Sequence, residues 1–309
     1  AEMAIKNNKD IKIGMLKTEQ SKIDVDKAWS KKFFTVGYTA GANTYLDKNF
    51  SKTGEKFQHY LTLSQPIYTG GKLTLSHEIS KDKLTLSQLN LDKVRKDTIL
   101  ETVKAYIDVY DAMSTLEVLQ KSKETLDENL KTQQELYDLR MTTKPEFTEA
   151  QRSVADVEAQ IVEQEGNIEV SKESLGILIG VKDSSKIEIV PFGVDENFTS
   201  TIKLDEDLAK LKTDNTEYKI AMKQNDLSRK NIKVEEAEFK PTVNGVVNYG
   251  TLQGQDRFGN LFRTKNFSSS AGVNFSWNIF DWGERKNSVK YARKSQEISE
   301  VQVDQTLDT

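Results

Sequence analysis

From Leu73 to Arg140 the chain runs without a proline or a glycine. Apolar residues recur there at intervals of three and four: Leu86 and Leu89; then Leu100, Val103, Ile107, Tyr110, Met113, Leu116 and Leu119; then Leu126, Leu130 and Tyr137. The spacing predicts a helix. At about 1.5 Å per residue such a helix extends roughly 100 Å, far beyond the width of a small domain. Most of its stability has to come from a partner packed along it. After a short turn, Met141-Thr142-Thr143-Lys144-Pro145, proline sits where a first-turn N–H is dispensable. Phe147, Ala150, Val154, Val157, Ile161, Gln164, Ile168, Ser171, Leu175 and Leu178 then repeat three, four, three, four. This is a heptad seam. Residues 73–180 are therefore expected to form a long antiparallel helical hairpin.

On either side of it the period changes to two. In 33–46, Phe34, Val36, Tyr38, Ala40, Ala42 and Leu46 alternate with Thr35, Gly37, Thr39, Gly41 and Asn43. In 57–68, Phe57, His59, Leu61 and Leu63 alternate with Gln58, Tyr60, Thr62 and Ser64, and a polar loop over 47–56 makes the two a hairpin. A second hairpin is expected from 242–252 and 267–280 around the polar loop 253–266. The run FSSSAGVNFSWNIFDWG, Phe267 to Gly283, is the clearest strand. One face is Phe267, Ser269, Ala271, Val273, Phe275, Trp277 and Ile279; the other is Ser268, Ser270, Gly272, Asn274, Ser276 and Asn278. A large apolar face backed by a small uncharged one fits a wall between lipid and a wet lumen. Taken alone it also fits a half-buried strand of a soluble sandwich.

The remaining segments read as a helix over 4–31, a break over 181–203 with a short strand at Lys186–Val190, a short helix at 204–213, a helix over about 215–239 ended by Pro241, and a last helix after Gly283. The chain also repeats itself. Leu63-Ser64-x-x-Ile67-Tyr68-x-x-Gly71 matches Phe275-Ser276-x-x-Ile279-Phe280-x-x-Gly283 at an offset of 212. Ile23-x-Val25-x-x-Ala28-x-x-Lys31 matches Ile232-x-Val234-x-x-Ala237-x-x-Lys240 at an offset of 209. Helix, strand, loop, strand, glycine turn and helix occur twice, and the second copy stops roughly a hundred residues short of the first. On this reading the chain is a truncated repeat pair, or its C-terminal part lies outside this sequence.

Composition narrows the function. The net charge of −4 argues against nucleic acid as a partner. Without cysteine there are no disulfides and no thiolate metal sites. No run approaches the 18 or so apolar residues of a membrane helix, but barrel strands escape that test. No signal peptide is visible at Ala1, as in a mature secreted chain. His59 and His77 are the only histidines. Neither has metal-motif spacing to a carboxylate, so both read as structural. Gly70-Gly71 belongs to no GxxxxGK[ST] phosphate loop and reads as a strand-to-helix turn. No catalytic constellation, cofactor site or metal site is expected. Two hairpins cannot span a bilayer alone, because their edges would leave backbone groups unpaired in hydrocarbon. Barrels have at least about eight strands, so closure requires several chains.

The tandem pattern, Ala4-x-x-Asn7-Asn8-x-x-Ile11, the two strand-end turns, and Leu175-x-x-Leu178-Ile179-Gly180 resemble the TolC family of outer-membrane efflux and type I secretion channels. The resemblance covers essentially the whole chain. It implies a homotrimer with a twelve-stranded β-barrel in the outer membrane and a periplasmic tunnel of coiled-coil helical hairpins. It further implies delivery of substrate by an inner-membrane pump through a periplasmic adaptor. Under it, residues 1–32 are a periplasmic helix, 33–68 the first β-hairpin, 69–180 the tunnel hairpin and 181–216 a mixed equatorial segment. Residues 217–241 are the helix of the second repeat, 242–282 the second β-hairpin and 283–309 the start of a second long helix. Leu139, Arg140, Met141, Thr142 and Thr143 are the candidate adaptor-contact tip, although the family's glycine is missing there; the plainer reading is an idle helix turn. Ser268, Ser270, Asn274 and Ser276 are the candidate pore lining. Phe34, Tyr68, Val273, Phe275, Trp277, Phe280 and Trp282 are the candidate lipid-facing or aromatic-girdle set, against a soluble core. The family's constriction lies largely in a second helical hairpin, so no gate residue is assigned. The competing function is a soluble periplasmic helical-hairpin adaptor.

Overall fold

A computed structural model describes residues 2–46, 52–190 and 214–308. The chain divides into two compact units, Ala1–Leu16 with Asn90–Lys210, and Lys17–Leu89 with Leu211–Thr309. The expected helix at 204–213 lies outside the described residues.

The first unit contains α1 (Glu2–Asn7), the start of α2 (Lys9–Ser30), the later part of α3 (Lys72–Asp138) and α4 (Lys144–Ile179). The single helix expected over 4–31 is divided at Asn8. Its Oδ1 accepts from the N–H groups of Asp10, at 2.7 Å, and Ile11, at 3.3 Å, and so caps α2. Its Nδ2 donates to the carbonyl of Leu178, at 3.1 Å, one of the last carbonyls of α4. Gly180 ends α4 at φ +71°, and a Cβ there would lie 2.7 Å from Cβ of Asn7. Asn7-Asn8 and Leu178-Ile179-Gly180, far apart in sequence, thus form one joint.

The seam residues of α4 all turn inward, with Val154, Val157 and Leu175 buried, while Val162, Val170 and Ile177 face out. Across the seam, Gln164 donates to the carbonyl of Ala112 at 2.9 Å, Lys123 pairs with Glu158 at 2.7 Å, and Tyr137 stacks on Phe147 with centroids 5.2 Å apart. On α3 the expected stripe is only partly the inward one. Leu100, Val103, Ile107 and Met113 are exposed, and the buried positions of this later part of α3 are Thr98, Thr102 and Val109. The two threonines return their hydroxyls to the carbonyls of Val94, at 2.7 Å, and Thr98, at 2.6 Å. That satisfies them without a cross-helix partner and lets a polar side chain occupy the seam. The strand expected at Lys186–Val190 is a 3-10 turn, Ser184–Lys186, followed by irregular chain. The Tyr106 hydroxyl both donates to the carbonyl of Val190, at 2.6 Å, and accepts from its N–H, at 3.0 Å, in place of a strand partner.

The second unit holds β1 (Thr35–Leu46), β2 (Lys52–Tyr68), β3 (Thr242–Gly250) and β4 (Ser268–Ser276) in one sheet of order β1-β2-β3-β4, antiparallel throughout. It also holds the first turns of α3, α5 (Thr216–Ala237) and α6 (Glu284–Asp308). The second hairpin is shorter than the expected 242–252 and 267–280. The sequence repeat becomes a register repeat: Thr35 lies opposite Ser64 and Val36 opposite Leu63, as Thr242 lies opposite Ser276 and Val243 opposite Phe275. A bulge between Pro66 and Tyr68 places Tyr68 opposite Val243. The helices follow the order of the strands they join. α2 meets α3 through Thr18 and Ser87 (Oγ1 to Oγ, 3.3 Å) and through Trp29 against His77. α3 meets α5 through Asp82, with Lys223 at 3.2 Å and Lys230 at 2.6 Å. α5 meets α6 through Ser228 and Ser299, at 2.9 Å, and through Asn225 and Gln296, at 3.3 Å.

Candidate functional site

Residues directly opposite each other across antiparallel strands project from the same face. Val36, Leu63, Val247 and Ala271 form one such row, and Tyr38, Leu61, Tyr249 and Ser269 the next. Val273 and Phe275 in β4 lie on this same face, opposite Gly245 and Val243. The apolar alternates of all four strands therefore share one surface. It is uncovered over most of its area: Val36, Tyr38, Tyr249, Val273 and Phe275 are all more than half exposed. Each large apolar side chain left in water forgoes about 1.5–3 kcal/mol of burial.

The opposite face is polar and partly tied together. Thr62 donates to Oδ1 of Asn248 at 2.8 Å, and Asn248 donates through Nδ2 to Oγ of Ser270 at 3.3 Å. Asn274 stands opposite Asn244, Ser276 opposite Thr242, and Ser268 opposite Gly250. The sheet brings Ser268, Ser270, Asn274 and Ser276 onto one surface and adds Thr62 and Asn248, which their own polar alternation could have nominated. Among the described residues neither β1 nor β4 has a neighbour on its outer side, so both edges of the sheet are open.

The aromatic set gathers where strands become helices. Phe34 precedes β1 and Tyr68 ends β2; Trp277, Phe280 and Trp282 follow β4, which ends at Ser276, short of the expected 280. The indole of Trp277 donates to the carbonyl of Phe239 at 3.0 Å, and Phe280 meets Trp282 edge to face with centroids 5.0 Å apart. Trp282 has φ +54° and is 91% exposed. Asp281 receives the N–H of Gly283, at 3.1 Å, and pairs with Arg285, whose guanidinium holds the carboxyl below its ordinary range.

At the other end of the helical hairpin, Leu139 and Met141 are exposed apolar residues, 69% and 73%. Arg140 occupies the left-handed region at φ +60°, the position glycine fills at ease. Thr143 caps α4 in a capping box with Glu146. Glu146 also accepts from the Thr142 hydroxyl at 2.6 Å, and that bond, with those from the Thr143 N–H and hydroxyl, pulls its carboxyl below the ordinary value. The tip is thus a rigid polar turn with two apolar side chains held outward.

His59 is buried on the apolar face, where its Nε2 lies 2.9 Å from the carbonyl oxygen of Leu261. His77 is buried between Trp29 and Lys32; burial, then the Lys32 charge, lower its pKa. Among the described residues there is no cluster that could hold a metal ion and no helix long and apolar enough to cross a membrane.

A profile of the outer membrane efflux protein family matches residues 1–181 and 214–309, and the chain belongs to that family. No curated protein matches it by sequence. Among solved structures it is similar to the CmeC outer membrane channel of Campylobacter jejuni, with a TM-score of 0.83, 19% identity, and coverage of 99% of this chain and 66% of that one. It is similar to the outer membrane protein VceC of Vibrio cholerae, with a TM-score of 0.79, 15% identity, and coverage of 99% and 74%. The MtrE outer membrane channel of Neisseria gonorrhoeae gives 0.76, 18%, and coverage of 99% and 68%. The chain spans a little under two thirds of the length of CmeC. The shared architecture is helical with a four-stranded antiparallel sheet, the fold of TolC-like channels.

Proposed function

We propose that the chain is a subunit of an outer-membrane efflux channel in which three copies close a twelve-stranded barrel. One observation carries this reading: a four-stranded sheet, apolar along one face, polar along the other and open at both edges. Such a sheet is unstable in water and in lipid until the edges are paired and the apolar face is covered. Copies joined β4 to β1 satisfy both requirements at once, and twelve strands fall within the range of known barrels. The exposed stripe Leu100, Val103, Ile107 and Met113 on α3 supports the same assembly, as a second seam for a neighbouring hairpin.

In this assembly Ser268, Ser270, Asn274, Ser276, Thr62 and Asn248 line the pore, and Val273 and Phe275 face lipid. Phe34, Tyr68, Trp277, Phe280 and Trp282 form a girdle at the periplasmic interface. Leu139, Arg140, Met141, Thr142 and Thr143 meet a periplasmic adaptor that delivers substrate from an inner-membrane pump, for efflux or type I secretion. The protein is then found in the outer membrane with its helices in the periplasm. Expression with a secretion signal, membrane fractionation and light scattering of the detergent-purified protein test this. A species of three chains from the outer-membrane fraction is expected. Recovery as a stable monomer from buffer without detergent would refute it and favour a soluble adaptor.

A further inference from the structure

The loop joining β3 to β4 does not extend beyond the sheet; it folds back over the apolar face. Phe57 and Gln255 exchange two backbone hydrogen bonds, at 2.8 and 2.7 Å, and the N–H of Thr251 donates to the carbonyl of His59 at 2.7 Å. The Thr251 hydroxyl donates to the carbonyl of Leu261 at 2.8 Å, and His59 meets the same oxygen. Leu261 is buried beneath the loop, and Phe262 and Phe267 pack on the His59 ring with centroids 4.9 and 5.2 Å away. Phe258, edge to face on Phe57 with centroids 5.7 Å apart, and Phe262 each remain 60% exposed, and they alternate along the chain with exposed Arg257, Arg263 and Lys265. The acid of the segment, Asp256, is paired with Lys56 at 2.6 Å. The loop lies at the strand ends remote from α3 and α6.

We propose that this loop is a binding surface for a phosphorylated glycolipid of the outer leaflet, with Arg257, Arg263 and Lys265 on its phosphates and Phe258 and Phe262 among its acyl chains. The inference rests on the membrane reading above. Because the loop is anchored on the apolar face, its aromatic residues are on the lipid side rather than over the pore mouth. Three cations within nine residues beside them match a ligand that carries both phosphate and hydrocarbon. A glycerophospholipid offers one phosphate; a bisphosphorylated glycolipid offers two, more charge to set against the three cations at 257, 263 and 265.

The test uses the full chain, purified in detergent and titrated with bisphosphorylated lipid A, with lipid A lacking phosphate and with phosphatidylglycerol, with bound lipid read by native mass spectrometry. Binding of bisphosphorylated lipid A well above the other two is expected. Arg257→Gln, Arg263→Gln and Lys265→Gln should each weaken it about fivefold, while Lys286→Gln on α6 should leave it unchanged. Phe258→Ser should weaken binding of all three lipids. Equal retention of phosphatidylglycerol, or a triple variant that binds as the wild type does, overturns the proposal. Insertion into vesicles, measured alongside, tests the membrane reading itself: a chain that inserts but does not select lipid A refutes only the loop assignment.

Discussion

Replacing Val273 with arginine tests the two-faced sheet most directly, because the next residue is its control. Val273 lies opposite Gly245 on the apolar face, and Asn274 lies opposite Asn244 on the polar one. Val273 is one position from the middle of the nine-residue β4. In the proposed barrel, with the middle of β4 at mid-depth, a rise of about 3.3 Å per residue and a tilt near 45° put it only about 2–3 Å from that depth. An arginine facing lipid there costs about 2–4 kcal/mol, so the proposed trimer loses about 6–12 kcal/mol. Asn274→Arg points into water and should cost within about 0.5 kcal/mol, as an exposed substitution does. The assay is the yield of detergent-resistant trimer after refolding into vesicles, followed by urea titration. Val273→Arg should abolish most of the trimer and Asn274→Arg should retain it. Equal yields, or the reverse order, would refute the assignment of faces.

Gly70→Ala should destabilise the chain by about 2–4 kcal/mol in a thermal melt, since its Cβ would stand 2.8 Å from the Ala237 carbonyl oxygen as well as in the left-handed region. Gly71→Ala meets nothing within 4 Å, so only the conformational cost of about 1–2 kcal/mol is expected. Thr143→Ala removes the cap of α4 and should cost about 1 kcal/mol by the same measurement. Asp82→Asn leaves Lys223 and Lys230 only their longer pairs, with Asp226 at 3.9 Å and Glu78 at 3.8 Å, and should cost about 1–2 kcal/mol, a moderate figure because both lysines are partly solvated. Burial raises the Asp82 pKa, but the two ammonium groups outweigh burial and hold it below the ordinary value. The unfolded chain therefore takes up this proton first. The contribution of Asp82 is complete above the ordinary carboxylate range and is lost as pH falls through the native value, so the pH dependence of the melt should flatten there in Asp82→Asn.

Periodicity made the frame legible. The three-four spacing from Phe147 to Leu178 marks the inward face of α4, and the alternation in four short segments marks the two faces of one sheet. Where spacing misled, a local hydrogen bond had replaced hydrophobicity as the reason for burial. Thr98 and Thr102 occupy the seam because their own helix satisfies them, and Leu100, Val103 and Ile107 are displaced to the outside. Asn8 divides the first helix through a cap that a three-four count does not register. The fold-back of the β3–β4 loop was illegible for the same reason. The Thr251 hydroxyl and the His59 ring both meet the carbonyl of Leu261, and Phe57, His59, Thr251 and Gln255 pair through their backbones, so every one of these anchors has a backbone group on at least one side, and backbone groups carry no side-chain signature. The tip residues Arg140 and Met141 were visible as a turn, but the left-handed backbone at Arg140 was hidden by the absence of glycine.

The internal repeat extends to the backbone, and there it exposes a difference between its copies. Gly70 and Gly71 have φ +64° and +91°; their counterparts at an offset of 212, Trp282 and Gly283, have +54° and +89°. The two strand-to-helix turns are thus the same turn. At the first copy the backbone is crowded by Ala237 and Lys240, and only glycine fits. At the second a tryptophan occupies the left-handed position at a cost of about 1–2 kcal/mol, with its ring almost wholly in solvent. Water offers that ring nothing to offset the strain. The bilayer interface of the proposed assembly would, because an indole is favoured at head-group depth, and Trp282 stands six residues past the end of β4, whose Val273 and Phe275 are left bare. The strained tryptophan, the bare face and the open edges are three separate costs to an isolated chain, and the proposed assembly would offset all three by closing the edges and placing the face and the indole against a bilayer.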